Sequence, residues 1–248
     1  DAHKIDFAAA LSPDALKGKR IGVLRDRIGA RADIAALFDA ALAQMAGLGA
    51  TIVEVKDSRS GLEGLGDAEF AVLLTELKTD MAAYLASLPA ADGPKTLADL
   101  IVFNEAHPEE LRWFDQSLFK LADALGGLDD PVYLAAKAKA ARLAGPEGID
   151  RLLKEQGLDL LVGVTNGPAW TSDLVNGDHY TGPSVSDLPA VAGYPHLTVP
   201  MGAIEGLPVG LSFIGPKWSD SVILAAGYAY EQASQKRVTP TYRASVAH

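Results

Sequence analysis

The chain has 248 residues, of which 48% are hydrophobic and 22% charged, a composition typical of a globular protein with a sizeable core. Its formal net charge of -10, with no offsetting cluster of lysines or arginines, disfavours binding to the phosphates of nucleic acids. The absence of cysteines excludes disulfides and thiolate metal sites. No apolar run approaches the roughly 20 residues that cross a bilayer, so no membrane association is expected.

The first third of the chain predicts a β-α-β unit. Residues 20–24 form an apolar run of strand length, residues 31–47 place apolar side chains at helical spacing, and residues 51–55 alternate like a strand. Units of this kind build a parallel sheet with a covering helix.

The middle of the chain, residues 67–157, predicts a predominantly helical segment. Apolar stripes run from Phe70 to Leu85 and from Leu111 to Leu125, and Thr96 is suited to cap a short helix between them. Pro131 favours another helix start.

That helix is expected to break at Gly145-Pro146, and a last short helix is expected at residues 149–156.

The last third predicts strands around one long loop. Residues 159–164 read as a buried strand, and residues 165–186 as an irregular loop of the length that is usually functional. Two further strands are expected at 197–200 and 207–214, the first bracketed by Pro195 and Pro200, and a final helix is expected after Ser219. The order of elements indicates an α/β fold with a mixed β-sheet covered by helices in α/β/α layers.

Metal and cofactor sites are not expected. The histidines at 3, 107, 179, 196 and 248 show no i, i+4 spacing of the kind a helical zinc site requires. Gly61, Gly64 and Gly66 do not match the dinucleotide-binding fingerprint, and they follow a strand at a distance rather than at its end.

A serine nucleophile is also not evident, because no Gly-x-Ser-x-Gly elbow occurs. Ser184 and Ser186 are the nearest candidates, with Asp173, Asp178 and His179 close in sequence. Serines in a loop ahead of a helix are typical turn and cap residues, and Ser186 stands where the cap of a helix at Asp187 belongs.

Residues 188–202 resemble the C-terminal block of the amidase-signature family. There a small-residue helix and an Ala-Gly-x-Pro turn, here residues 192–195, lead into a strand that ends in Pro-x-Gly, here residues 200–202. Residues 206–216 resemble the Gly-Leu-Pro-x-Gly-Leu strand of the same family. Residues 17–24 look like the strand that follows its signature region.

Other segments look like the peptide-amidase branch of the family, and these are residues 96–105, 127–131, 143–150, 167–170 and 173–178. The resemblance implies that residues 1–248 are the C-terminal segment of one amidase-signature domain, with no internal boundary and without its catalytic N-terminal half. The chain begins at Asp1 without a methionine. The missing half is therefore an expected partner, either as a separate chain or as an upstream segment.

The resemblance implies hydrolysis of a carboxamide C–N bond, with C-terminal amides of peptides as a candidate substrate. Family members use a serine nucleophile, a second serine in a cis peptide, and a lysine base that burial keeps neutral. These motifs lie upstream in the family. No catalytic residue is therefore assigned to this chain, which alone is expected to be inactive. No signal-peptide pattern is present, which favours the cytoplasm.

This half is still expected to form part of the substrate pocket, because loops at strand ends bind ligands in open α/β sheets. The candidates for contact with a small-molecule or peptide amide are Thr165, Asn166, Trp170, Asp173 and Tyr194. An aromatic offers apolar area with a polar handle, and an asparagine offers a donor and an acceptor to an amide.

Two alternatives remain open. The chain can be an inactive binding or structural module that retains the second half of the fold, or a small-molecule-binding α/β domain unrelated to amidases. A lysine and a Gly/Ser-rich double-serine motif in the upstream coding sequence would separate the amidase from both.

Overall fold

The computed structural model describes residues 5–89, 93–178, 180 and 182–242. It divides the chain into two compact units, Asp1–Ser60 with Ala144–His248, and Gly61–Leu143. The expectation that all 248 residues belong to one domain stays a prediction. The helices, in chain order, are α1 Ala32–Gly47, α2 Leu65–Ser87, α3 Leu97–Ala106, α4 Ser117–Asp123, α5 Pro131–Ala144, α6 Arg151–Gln156, α7 Asp187–Ala192 and α8 Asp220–Ser234.

The first unit contains a mixed five-stranded sheet. Its strands are β1 Arg20–Val23, β2 Thr51–Glu54, β3 Leu160–Val164, β4 His196–Ile204 and β5 Leu207–Ile214, and they lie in the order β2-β1-β3-β5-β4. β1 pairs in parallel with β2 and β3, whereas β5 pairs antiparallel with β3 and β4. The predicted β-α-β unit and the mixed sheet are confirmed.

Helices cover both faces of this sheet. On one face, α1 contributes Phe38 and Met45 and α8 contributes Tyr230 to a core that also includes Phe213 and Leu211 of β5. All five are at most 1% exposed.

On the opposite face, Leu161 of β3 and Ile214 of β5 line a small cavity together with Ile149 and Leu188. Ile149 belongs to a π-helix at Gly145–Asp150, and Leu188 belongs to α7. The predicted α/β/α layering is therefore confirmed.

The predicted break at Gly145-Pro146 is wrong, because these residues open the π-helix instead. Proline in an α-helix loses an i→i−4 bond and clashes with the preceding turn, and the wider π turn relieves both constraints. The short helix expected at 149–156 is found as α6, which ends at Gly157 in the left-handed conformation.

The strand predicted at 197–200 is longer than expected, since β4 continues through Pro200 to Ile204. β4 is the edge strand, where a missing backbone N–H is tolerated, and the register shifts between Pro200 and Gly202. The hairpin turn is only two residues, Glu205 and Gly206, with φ of 50° and 80°, as a tight hairpin turn requires.

The second unit is helical. Leu74 of α2, Leu97 of α3 and Ala122 of α4 form its buried cluster. The expected cap at Thr96 is confirmed, because its hydroxyl accepts from the Asp99 backbone N–H in a capping box.

The apolar stripe at 111–125 is helical only from Ser117 to Asp123. Phe114 and Leu118 of that stripe are exposed, at 67% and 54%.

Replacing Phe213 by alanine is expected to lower the free energy of unfolding by about 3–5 kcal/mol, because the fully buried ring would leave a cavity beside Tyr230. Urea denaturation measures the change. Val238→Ala, at a site that is 44% exposed, is the control and should change the value by about 0.5 kcal/mol or less. Equal effects of the two substitutions would contradict this packing.

Candidate functional site at the end of strand β3

The candidate site begins where β3 ends. All five residues of β3 are buried, and the next residue, Thr165, donates its backbone N–H to Gly210 O at 2.9 Å. This bond extends the pairing with β5 by one position. It fixes Thr165 at the edge of the sheet before the chain enters the 165–186 loop.

Four polar side chains join across β3, β5 and β4. The Thr165 hydroxyl lies 2.7 Å from that of Thr198 and 2.8 Å from that of Ser212, and His196 Nε2 lies 2.7 Å from Ser212 Oγ. Ser212 is fully buried, whereas Thr198 is exposed. We call this group the polar chain: His196, Ser212, Thr165 and Thr198. Burial lowers the pKa of His196, so its ring is neutral at neutral pH.

Gly210 makes room for the polar chain. A Cβ at this position would lie 2.5 Å from Thr198 Oγ1 and 2.9 Å from Thr165 Oγ1, which is closer than carbon and oxygen atoms approach. The close approach expected at Gly210 from its place in the Gly-Leu-Pro-x-Gly-Leu motif is therefore confirmed.

Asn166 holds the two ends of the loop together. It pairs with Ser184 in an antiparallel bridge, and its side-chain oxygen accepts from the backbone N–H of Gly167 at 2.9 Å. Gly167 and Gly182 also approach closely, since a Cβ on Gly182 would lie 3.0 Å from the Gly167 nitrogen. The predicted candidates Thr165 and Asn166 thus stand side by side at the mouth of the loop.

Trp170 is held by its own loop. Its indole N–H donates to Asp178 at 2.5 Å, and its ring is tilted against Tyr180 with centroids 5.1 Å apart. The Tyr180 hydroxyl donates to Pro183 O at 2.9 Å. Trp170 remains 44% exposed, so one apolar surface of a positioned aromatic ring faces outward.

Asp173 forms a turn. Its carboxylate accepts from the backbone N–H groups of Val175 and Asn176 at 2.8 and 2.9 Å, and from the Asn176 side chain at 2.7 Å. These bonds use the carboxylate for loop geometry. Its predicted contact with substrate stays a prediction.

Tyr194 belongs to a separate group. Its hydroxyl donates to Asp150 at 2.7 Å, and the ring edge lies over Gly145, where a Cβ would come within 3.1 Å of the hydroxyl oxygen. Burial, together with the bond to Asp150, raises the pKa of Tyr194 to about 12. The bond ties the turn after α7 to the π-helix, and contact of Tyr194 with substrate stays a prediction.

An arginine clamp fixes the far end of the loop. Arg27 donates to Ser184 O at 2.9 Å and pairs with Asp187 at 3.3 Å, and Arg59 pairs with the same carboxylate. The Arg27 and Asp187 side chains are only 19% and 27% exposed, so this network is more persistent than a surface ion pair.

The two loop serines have structural surroundings. Ser184 and Ser186 hydroxyls lie 3.0 Å apart, and Ser186 occupies the predicted cap position of α7, although its side chain makes no cap bond there. Ser219, expected to cap α8, instead donates to Pro216 O at 2.7 Å.

Within the described ranges, no group of three or more histidine, aspartate or glutamate side chains is arranged to hold a metal. His3, His179 and His248 lie outside those ranges.

Sequence reasoning missed His196, Ser212 and Thr198 as members of this site. The available signal was the alternation of β4 and β5. Leu197 and Val199 pack toward α8, so His196 and Thr198 must point to the opposite face. The cross-strand contact itself depends on register, which the sequence did not reveal.

The chain belongs to the amidase family, whose family model matches residues 3–224. The resemblance to the amidase-signature family is thereby confirmed. No helix among the described segments has both the length and the apolar content to span a membrane.

The relatives share this family assignment. A probable amidase from Arabidopsis thaliana is 28% identical over 238 residues, covering 94% of this chain and 41% of its own length. One of the subunits of glutamyl-tRNA(Gln) amidotransferase from Synechococcus sp. is 30% identical over 260 residues, covering 97% and 48%.

Two solved structures of peptide amidases match the fold. One, of the peptide amidase PAM with the competitive inhibitor chymostatin, has a TM-score of 0.87 at 42% identity and covers 96% of this chain and 48% of that one. Native peptide amidase from Stenotrophomonas maltophilia has a TM-score of 0.82 at 41% identity, with 96% and 47% covered. The chain therefore spans about half the length of the relatives it matches.

Asp187→Ala is expected to release the loop, because Arg27 and Arg59 lose their shared carboxylate. Limited proteolysis should then cut within residues 165–186 several times faster than in the unmodified chain. Asp220→Ala is the matched control, since Asp220 is likewise the first residue of a helix, α8. Equal cleavage rates in the two variants would show that the clamp does not restrain the loop.

Proposed function

We propose that this chain is a segment of an amidase that hydrolyses a carboxamide C–N bond, with C-terminal amides of peptides as the substrate class. The observation that carries this proposal is the match to two peptide-amidase structures at 41% and 42% identity, with 96% of this chain aligned in each. One of those proteins binds the competitive inhibitor chymostatin.

The serine nucleophile, the cis-peptide serine and the lysine base are proposed to come from the part of the family domain that this chain does not span. The polypeptide that carries them is the proposed partner, whether covalently continuous or bound. Within this chain we assign no residue to proton transfer or nucleophilic attack. Its contribution is to bind and orient the amide.

The 165–186 loop is the proposed binding element. It follows the carboxyl end of β3, the position at which open α/β sheets bind ligands. Trp170 is held in place by Asp178 and Tyr180 while keeping an exposed ring surface. A ring positioned in this way can cover an apolar substrate side chain at low entropic cost.

Thr165 and Asn166 are proposed to supply the polar part of the site, since a hydroxyl and a carboxamide can both donate to and accept from an amide. The carboxylate of Asp173 and the hydroxyl of Tyr194 are engaged in a turn and in a bond to Asp150. Any role of these two in substrate binding is therefore proposed to act through the shape of the site.

The test is release of ammonia from a peptide amide by the protein in its native length, with the matching peptide acid as the blank. Conversion of the amide to the free acid supports the proposal. A native-length protein that binds the peptide amide without releasing ammonia would instead make the chain part of a binding module. Absence of both binding and release would contradict the proposed substrate class.

In the native-length enzyme, Trp170→Ala is expected to lower kcat/KM about tenfold for peptide amides with a bulky apolar side chain, from loss of one aromatic contact. Amides of small residues should be affected less, so selectivity falls while the fold stays intact. Trp170→Phe, which keeps the ring but not the bond to Asp178, is the control. An unchanged kcat/KM across the amide series would remove Trp170 from the binding site.

A further inference from the structure

The polar chain has a property that follows from counting protons. Each hydroxyl carries a single proton, so it donates one hydrogen bond, although it can accept two. Ser212 is fully buried and lies between Thr165 at 2.8 Å and His196 Nε2 at 2.7 Å. Its proton must go to one of these two neighbours, because a buried hydroxyl proton without an acceptor is unfavourable.

If His196 Nε2 accepts, the Ser212 proton is used on the ring. The bond between Thr165 and Ser212 must then be donated by Thr165, and the bond between Thr165 and Thr198 must be donated by Thr198. The exposed Thr198 oxygen is left with lone pairs, so this end of the polar chain is an acceptor.

If His196 Nε2 carries a proton and donates, every bond reverses. Ser212 then donates to Thr165, Thr165 donates to Thr198, and the Thr198 proton points away from the chain. The same exposed hydroxyl is now a donor. A carboxamide has an N–H that needs an acceptor and a C=O that needs a donor, so the direction decides which part of an amide can bind there.

We propose, building on the amidase function proposed above, that His196 is a positioning residue that sets through Ser212 whether Thr165 and Thr198 offer the amide an acceptor or a donor. At neutral pH, Nε2 accepts and the exposed end is an acceptor for an amide N–H. Protonation of the ring makes both nitrogens donors and reverses the chain.

The surroundings leave His196 as the group that titrates here. Strands β3 and β5 contain no ionisable side chain, and β4 contains His196 alone. On the face that the polar chain occupies, the covering segment brings Asp187, which is paired with Arg27 and Arg59.

Tyr194, two residues before His196, bonds to Asp150. Burial lowers the pKa of His196, so reversal is expected below the ordinary range of histidine titration.

The first arm of the test needs no activity. In the native-length protein with labelled threonine methyl groups and histidine nitrogens, the Thr165 and Thr198 signals should shift with the same pH midpoint as His196. The ring nitrogen shifts should show Nε2 unprotonated at neutral pH. Thr75, whose hydroxyl donates to Ala71 O, is the internal control and should not follow that midpoint.

Two variants sharpen this arm. Ser212→Ala should leave His196 titrating while the Thr165 and Thr198 signals lose their response. His196→Gln should retain a hydrogen-bonding partner for Ser212 but abolish the response altogether. Threonine signals that ignore His196 in the unmodified protein, or that still follow it in Ser212→Ala, would overturn the proposal.

The second arm is the pH profile of kcat/KM for a peptide amide. An inflection at the His196 midpoint is expected in the unmodified enzyme and should be absent from His196→Gln, while Ser212→Ala should lose about fivefold in kcat/KM, the worth of one hydrogen bond. An inflection that persists in His196→Gln would contradict the positioning role. Loss of ammonia release in every form, with the threonine response intact, would overturn the amidase function and leave the polar chain standing.

Discussion

The burial of β3 between two differently oriented neighbours is the constraint on which the rest of the structure depends. It pairs in parallel with β1 and antiparallel with β5, so the direction of the sheet changes beside it. Gly163 cannot carry a side chain, because a Cβ would lie 2.5 Å from Val185 in the segment that covers this face. The strand therefore fixes both the start of the 165–186 loop and, through Val185, its return.

The loop is held at both ends and internally, which is the arrangement a binding element needs. Asn166 and Ser184 close its base, Arg27 and Asp187 anchor the exit, and Trp170 is fixed by Asp178. A loop ordered before it meets a ligand loses little conformational entropy on binding. The same sheet edge carries the polar chain, so apolar and polar recognition elements both arise from the position where β3 ends.

Much of this was predictable from the sequence, and the exceptions have physical causes. Periodicity identified the strands, and the amidase-signature motifs identified the family, because both depend on local patterns. Proline misled the predictions at Pro146 and Pro200, since a π turn and a sheet edge each remove the cost that proline normally carries. The apolar residues near Phe114 had helical spacing but are exposed and lie outside α4. His196 and Ser212 meet only through strand register, and register depends on tertiary contacts that no local pattern contains.

The account depends most on the claim that the loop after β3 contacts the substrate. Hydrogen–deuterium exchange on the native-length protein, with and without chymostatin as the probe, measures this directly. Slower exchange of backbone amides within 165–186, with exchange in α8 unchanged, is the predicted result. Saturating chymostatin that slows exchange elsewhere in the protein but leaves 165–186 unchanged would contradict it.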